Sequence, residues 1–466
     1  MIFIFRKKLN NAKRFIQRFL RKRRLEMEFT VKRPYGTKDV VPADVYKWQT
    51  VEKLAADTAQ AFGFKEIRIP TFEDTKLFNR SVGDTTDVVQ KEMYSVTASS
   101  AANGKDNEDF TLRPEGTAGT VRMSIENGLL NDALPQKLFY ILSCFRHERP
   151  QAGRLREFHQ FGVEMFGSDS PAADADVICL AKTLIDRAGL KNIKLYINSI
   201  GCPKCRAEYY KKLREYFSSS EDKLCDTCKS RLEKNPMRIL DCKSPICGEI
   251  AKDAPKIVDY LCDDCKTHFE GLKANLELME IDYEINPKIV RGLDYYTRTV
   301  FEFVTTDLGS QGTVCGGGRY DGLVEELGGN HTPALGFAMG LERLIATMEK
   351  QGADFIQPKR CDLYIASMGE AASRKAVELA YKLRMEGYYV EFDVMNRGIK
   401  PQMKYANKLR SVFTMVLGDN ELESCSAKLK CMDSGEQQDI MLDGKFVESF
   451  SNALVAEMFK AEDDLL

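Results

Sequence analysis

The chain has 466 residues, of which 43% are hydrophobic and 29% charged. That balance excludes a disordered or collagen-like polymer, and at roughly 150 residues per domain it leaves room for about three domains. No apolar run approaches the roughly 20 residues that cross a bilayer, and fourteen cysteines in so long a chain do not make a disulfide scaffold. The net charge of −1 conceals an uneven distribution.

Residues 1–24 hold ten Lys and Arg and no Asp or Glu, so the rest of the chain carries about −11. Within this segment Phe5, Leu9, Ala12, Ile16 and Phe19 recur at helical spacing, as in a basic amphipathic helix. The segment suits an arm that touches RNA or a membrane, an organelle presequence or, least well, a secretion signal. The alternative is an upstream start codon, with the folded protein beginning near Met27. The first fold signal, RPYGTKDVVPADV, starts at Arg33.

A helix is expected over 43–62, where apolar residues recur from Val45 to Phe62 between Pro42 and Gly63. KEIRIP then reads as a strand stopped by Pro70. KEMYSV and DFTLRPEG read as strands joined by the polar loop TASSAANGKDNE, and a helix through TAGTVRMSIENG ends at Gly128. KLFYILSCFRH and RLREFHQFGVEMFG are two more strands, connected by the charged loop ERPQAG. Strands paired through short loops argue for an antiparallel sheet.

Residues 196–286, with clustered Cys, Lys and Asp, break this rhythm and read as an inserted subdomain. Strand character returns in YEINPKIVRGLDYYTRTVFEFVT, followed by a Gly-rich stretch and a helix over GFAMGLERLIATMEK. QGADFIQPKR reads as a linker. Beyond it, DLYIASM, a helix to about Arg384, YYVEFDV, a helix through Leu409 and FTMVLG alternate as a small α/β domain.

There is no G-x-x-x-x-G-K-[ST] loop and no G-x-G-x-x-G after a strand, which argues against a P-loop ATPase or a dinucleotide oxidoreductase. Arginines and carboxylates cluster instead around predicted strands. FRHERP puts Arg146 at the end of an apolar strand, where a planar guanidinium suits a carboxylate or phosphate; the alternative is a solvated hairpin tip. RPEG sets Glu115 beside Gly116, which admits close approach. RGLDYYTR crowds Arg291, Asp294, Tyr295, Tyr296 and Arg298 into an expected strand, either a ligand pocket whose polar groups need partners or an exposed edge. CGGGRYDG suits a strand approached closely by backbone or substrate. GFAMGLERL places Arg343 on a helix, by default as a surface charge.

In this order and spacing the segments resemble the class II aminoacyl-tRNA synthetases and, within them, closely the histidyl-tRNA synthetases. The resemblance runs from about Arg33 to the C-terminus and is weakest after Arg360 and in the insertion. EIRIPTFE is similar to the first class motif, whose proline, Pro70, would lie near a dimer interface; FRHERP through FHQFGVE is similar to the second and GFAMGLERL to the third. RGLDYYTRTVFEF and CGGGRYDGL resemble the two histidine-specific signatures. The implied fold is α+β: an antiparallel-sheet catalytic domain, an inserted Cys-rich subdomain and a C-terminal α/β anticodon-binding domain. The expected boundaries are a basic extension 1–29, catalytic segments 30–195 and 287–350, the insertion 196–286, a linker 351–360 and the anticodon-binding domain 361–466.

The resemblance also implies residue roles. Arg146 would hold the α-phosphate of ATP and the amino-acid carboxylate, and Arg291 would stabilise α-phosphate charge during attack. Phe158 and Arg343 would sandwich adenine, with Glu148 reaching its amino group. Glu115, Thr117 and Gln160 would bind the α-amino group of histidine beside Gly116. Glu164 and Tyr296 would grip the imidazole nitrogens, with Tyr295 lining the pocket. Neither His147 nor His159 is expected to be catalytic, and His159 should face away from Phe158 and Gln160. Magnesium is expected with the triphosphate of ATP. In the C-terminal domain, Lys400, Lys404, Lys408 and Arg410 could touch RNA phosphates or form a solvated helix face.

Eight cysteines fall in the insertion: Cys202/Cys205, Cys225/Cys228, Cys242/Cys247 and Cys262/Cys265. Three C-x-x-C pairs and one C-x-x-x-x-C have tetrahedral-metal spacing, enough for two four-cysteine structural zinc sites. The family does not generally carry this array, so free thiols or a redox-sensitive cluster stay open. The expected function is ATP-dependent attachment of L-histidine to tRNA(His) by a cytoplasmic homodimer, with no membrane role for the folded body. The alternatives are the non-catalytic regulatory subunit of ATP phosphoribosyltransferase and a synthetase-like sensor module. The intact RGLDYY and FRHERP segments and the C-terminal domain favour the enzyme.

Overall fold

The computed structural model describes residues 31–463, apart from 84–85, 87, 98–108, 152, 243 and 308–311. The basic arm and the polar loop after Val96 therefore lie outside the described residues. The chain divides after Ile356 into two compact units, the second being Gln357–Leu466. Among the described residues no helix is long and apolar enough to cross a membrane.

The first unit is organised by an eight-stranded sheet. In spatial order its strands are Lys65–Glu66, Gln136–Phe145, Glu157–Phe166, Ala334–Gly340, Thr313–Arg319, Thr297–Thr305, Ile193–Ser199 and Glu284–Ile285. The six long strands pair antiparallel, and only the two-residue strands at the edges pair parallel. Alternation sorts the faces. On Gln136–Phe145, Phe139 joins the core beneath helices Val45–Ala61, Pro171–Arg187 and Leu341–Gln351. Leu138, Tyr140 and Leu142 turn to the opposite face, where helix Thr117–Glu126 and insertion residues 200–261 lie, while the last insertion helix, Asp263–Leu278, joins the first core. A separate three-stranded sheet joins Phe72–Asp74, Phe110–Leu112 and Tyr94–Val96.

Several expectations shift. KEIRIP pairs over only two residues, because Ile67 to Pro70 leave the sheet. RGLDYY is not a strand: residues 286–296 are irregular, Arg291 has φ +55°, and pairing begins at Thr297. GFAMG is a strand rather than the start of a helix, and the helix begins at Leu341. Residues 196–199 complete a sheet strand, so the insertion leaves the sheet only after Ser199. It contributes helices Pro203–Ser218, Asp226–Lys234, Pro245–Ile250 and Asp263–Leu278.

In the second unit Val390–Phe392, Leu363–Ser367 and Phe413–Leu417 run parallel, and Ser426–Cys431 and Gln437–Met441 extend the sheet antiparallel. Helices Glu370–Met385 and Phe446–Asp463 cover its apolar residues. Lys400, Lys404, Lys408 and Arg410 are all exposed.

The first unit holds one strong ionic core. Arg319 is fully buried and Asp174 is 1% exposed. Arg319 Nε donates to Asp174 Oδ1 at 3.0 Å, and its Nη1 reaches the Ser168 carbonyl at 2.8 Å and Asp321 at 3.0 Å. The Thr299 hydroxyl donates to Asp174 Oδ2 at 2.6 Å, and His268 Nε2 lies 2.6 Å from the same oxygen. Two strands and two helices meet at this carboxylate. Burial works to raise its pKa, but the Arg319 charge and the His268 and Arg319 hydrogen bonds prevail and hold it below the usual value. Asp174→Ala should cost about 3–5 kcal/mol in urea unfolding, because it takes from a buried guanidinium its fully buried carboxylate partner. A depressed carboxyl pKa stabilises the fold above the unfolded value and loses that contribution as pH falls through the folded one. The stability gap between wild type and Asp174→Asn should therefore narrow in acid.

Candidate active site

A cleft of about 400 Å³ opens on the sheet beside strands Glu157–Phe166, Thr313–Arg319 and Ala334–Gly340. Four arginines line it, Arg146, Arg154, Arg291 and Arg343, together with Glu148, Asp241, Glu302 and Glu342. Four guanidiniums set against four carboxylates give the lining donors suited to an anion without a large net positive charge.

Each arginine is held by backbone or by a carboxylate. Arg146 follows the last residue of its strand; its Nε donates to the Pro114 carbonyl at 2.9 Å, and its guanidinium sits 5.2 Å from the Phe158 ring centre. Arg343, on the first turn of the helix after Gly340, donates to the carbonyls of Gly153 at 3.1 Å and Thr313 at 2.7 Å. It is thus no free surface charge, and Phe158 lines the same cleft. Arg154 pairs with Glu148 at 3.0 Å.

Arg291 donates to Glu302 at 2.5 Å and lies 5.7 Å from the Tyr296 ring centre. A Cβ on Gly316 would come within 2.4 Å of its Nη1, so the glycine-rich strand is the floor on which this side chain rests. A positive φ at a non-glycine residue costs about 1–3 kcal/mol and persists only where surroundings impose it. Here the imposed conformation aims the guanidinium into the cleft.

Behind the cleft lies a buried polar network. Glu115 accepts from the backbone N–H of Thr117 at 2.7 Å and of Ala118 at 2.9 Å, capping helix Thr117–Glu126. Burial raises its pKa against those hydrogen bonds. Glu164 accepts from the hydroxyls of Thr117 at 2.8 Å, Tyr140 at 3.0 Å and Tyr320. Burial pushes it up to about 8, despite the Tyr320 and Thr117 hydrogen bonds. A Cβ on Gly336 would sit 2.0 Å from its Oε2, so the neighbouring strand must carry glycine there. With its proton donated to Glu164, the Thr117 hydroxyl keeps acceptor lone pairs, which suit an ammonium group.

The Tyr295 and Tyr296 rings lie tilted at 45° with centres 4.7 Å apart, and Tyr295 meets Tyr320 edge-on at 5.5 Å. Gly116 packs against the Tyr140 ring. Gln160 lines the cleft and accepts from the Cys144 thiol at 3.4 Å.

His159 turns the other way, with its ring 4.8 Å from Trp48 and its Nδ1 3.0 Å from Glu342. His147 packs on Tyr94. Sequence reasoning missed Tyr140, Tyr320, Glu302 and Asp241. Tyr320 and Glu302 stand inside the quoted motifs, and strand alternation with their neighbours could have flagged them. Asp241 comes from the insertion, and nothing in its local pattern points to the cleft.

Residues 94–351 match the tRNA synthetase class II core domain (G, H, P, S and T), and residues 362–449 match an anticodon-binding domain. The histidine–tRNA ligase of Acetivibrio thermocellus is 55% identical over 410 residues, 88% of this chain and 97% of its own. That of Caldanaerobacter subterraneus subsp. tengcongensis is 52% identical over 412 residues, with the same shares. The solved apo histidyl-tRNA synthetase of S. aureus is 38% identical and superposes with a TM-score of 0.76, covering 90% of this chain and 100% of that one. Identity of this extent, across catalytic core and anticodon domain alike, means that the chain belongs to the histidine–tRNA ligase family of class II aminoacyl-tRNA synthetases.

Proposed function

We propose that this chain joins L-histidine to tRNA(His) at the expense of ATP. The observation that carries the reading is the junction of an arginine-lined cleft with a buried carboxylate and tyrosine network. One half suits a nucleotide and the other a small polar amino acid. The histidine carboxylate attacks the α-phosphorus of ATP, pyrophosphate leaves, and the 3′-hydroxyl of the terminal tRNA adenosine then attacks the adenylate and releases AMP. No side chain acts as nucleophile, so rate comes from positioning and charge stabilisation. The regulatory-subunit reading is not favoured, given the ligase relatives and the anticodon-domain match.

In this reading Arg146 holds the α-phosphate and the histidine carboxylate, and Arg291 meets the charge that develops on the α-phosphate during attack. Phe158 and Arg343 flank adenine, with Glu148 at its amino group. Glu115, Thr117 and Gln160 take the α-ammonium, and Glu164 with Tyr296 takes the imidazole beside Tyr295. Cleft carboxylates Glu302 and Glu342 suit a magnesium ion bound with the triphosphate, which neutralises phosphate charge when present. Zinc is the metal we assign to the thiolate quartets, since each offers four sulfurs and no harder ligand. The same reading carries a homodimer, with exposed Pro70 and Phe72 near its interface, a cytoplasmic location, and tRNA phosphate contacts from Lys400, Lys404, Lys408 and Arg410.

Three measurements test the assignment. ATP–pyrophosphate exchange should depend on histidine; no exchange with histidine, or equal exchange with asparagine, overturns the activity. Arg291→Ala should lower the exchange kcat about 10²–10³-fold, the loss seen when one donor to developing charge is removed; an undiminished rate means another group meets that charge. Glu164 accepts an imidazole N–H more strongly as carboxylate than as carboxylic acid. With its pKa pushed up to about 8, kcat/KM for histidine should rise through that pH, and Glu164→Gln should lose that limb.

A further inference from the structure

The eight insertion cysteines gather into two quartets. The outer one joins Cys202 and Cys205 to Cys262 and Cys265; the inner one joins Cys225 and Cys228 to Cys242 and Cys247. In each, all four sulfurs lie within 4.8 Å of one another. Sulfurs at the corners of a tetrahedron ~2.3 Å from a central zinc stand ~3.8 Å apart. Cys202–Cys205 measures 3.6 Å, Cys202–Cys262 3.9 Å and Cys225–Cys242 3.9 Å. These separations are far beyond a disulfide, and all eight residues are free cysteines.

Backbone N–H groups reach into both quartets. The backbone N–H of Cys262 donates to Cys205 at 3.1 Å, that of Cys225 to Cys247 at 3.3 Å, and that of Ser244 to Cys242 at 3.5 Å. Cys202, Cys225 and Cys262 each stand at the N-cap position of a helix.

Both quartets brace elements that reach the loop carrying Arg291. Between the inner pairs runs the buried turn Pro236–Ile239. Its Arg238, 7% exposed, donates from Nη2 to the Gly292 carbonyl at 2.6 Å and from Nε to Asp294 Oδ1 at 3.1 Å. Asn235 Nδ2 donates to the same oxygen at 3.1 Å. The outer quartet fixes the start of helix Pro203–Ser218, from which Arg206 donates to the Tyr296 carbonyl at 3.2 Å. Cys228, Cys247, Met237, Val290, Tyr295 and Tyr296 share one apolar cluster. Residues 292, 294 and 296 are therefore gripped from the insertion, while Arg291 keeps its left-handed backbone.

We propose that the two quartets are zinc sites that splint the 291–296 loop, and that Arg238 is the positioning residue through which the inner site holds Arg291 on target. This rests on the ligase reading and extends it. The splint explains how a loop without ladder pairing keeps a strained arginine aimed into the cleft. ATP, held by Arg146, Phe158 and Arg343 on other elements, should bind independently of it.

The test uses the full-length, zinc-loaded protein and separates metal from coupling. Elemental analysis should find about two zinc per chain, and about one in either Cys202→Ser/Cys205→Ser or Cys242→Ser/Cys247→Ser, as four-thiolate sites require. Arg238→Gln keeps both quartets, so it decides the coupling even if a cysteine variant fails to fold. It should retain both zinc ions and an unchanged KM for ATP, while the exchange kcat falls about 10- to 100-fold and the KM for histidine rises. Arg238→Lys should recover part of the loss. A zinc-free wild type with full activity overturns the metal sites. Two zinc ions with wild-type kinetics in Arg238→Gln overturn the splint, as does a loss that merely tracks the fraction of active protein and leaves both KM values unchanged. If wild type shows no histidine-dependent exchange while its zinc is intact, the ligase reading fails instead.

Discussion

The catalytic unit depends on how a twisted sheet carries buried carboxyl groups through its middle without leaving them unpartnered. Two carboxylates carry most of this. Asp174 collects Arg319, Thr299 and His268 on the helix-covered side, and Glu164 collects three hydroxyls on the other. An unpartnered buried polar group costs about 1–3 kcal/mol and a buried charge more, so each group fixes the elements that supply its partners. The strands are thus registered by chemistry as well as by backbone pairing.

Glycine makes this possible. Gly316 and Gly336 lie where Arg291 and Glu164 leave no space for a Cβ. The cost is weaker strands, and antiparallel pairing on both sides offsets it. The site is therefore inlaid into the sheet rather than mounted on it. Its arginines stand at a strand end, on a helix first turn and in a clamped loop, converging on one cleft from separate parts of the chain.

Much of this was legible beforehand. The strands Gln136–Phe145 and Glu157–Phe166 announced themselves as long apolar runs around a charged loop, and the alternation that turned His159 away from Phe158 held. RGLDYY misled because a polar, aromatic stretch before a strand has the same composition whether it pairs or folds back. GFAMG misled because a short apolar run fits a strand and a helix equally. Tyr140 reads as one more apolar strand residue, since periodicity says nothing of where its hydroxyl goes. Four cysteine pairs can combine into two quartets in three ways, and only the fold reveals that outer joins outer.

That nesting has a consequence for how the insertion can vary. The outer quartet gathers 202–205 and 262–265 directly after the chain leaves the sheet at Ser199, so the start of the insertion is pinned to the head of its last helix. What lies between is a closed loop, and doubling a closed loop's length costs only about 0.6 kcal/mol. Relatives could therefore lengthen, shorten or redecorate the interior while the sheet registers no change. What must keep its place is the short turn bearing Asn235 and Arg238, with the four inner cysteines that flank it.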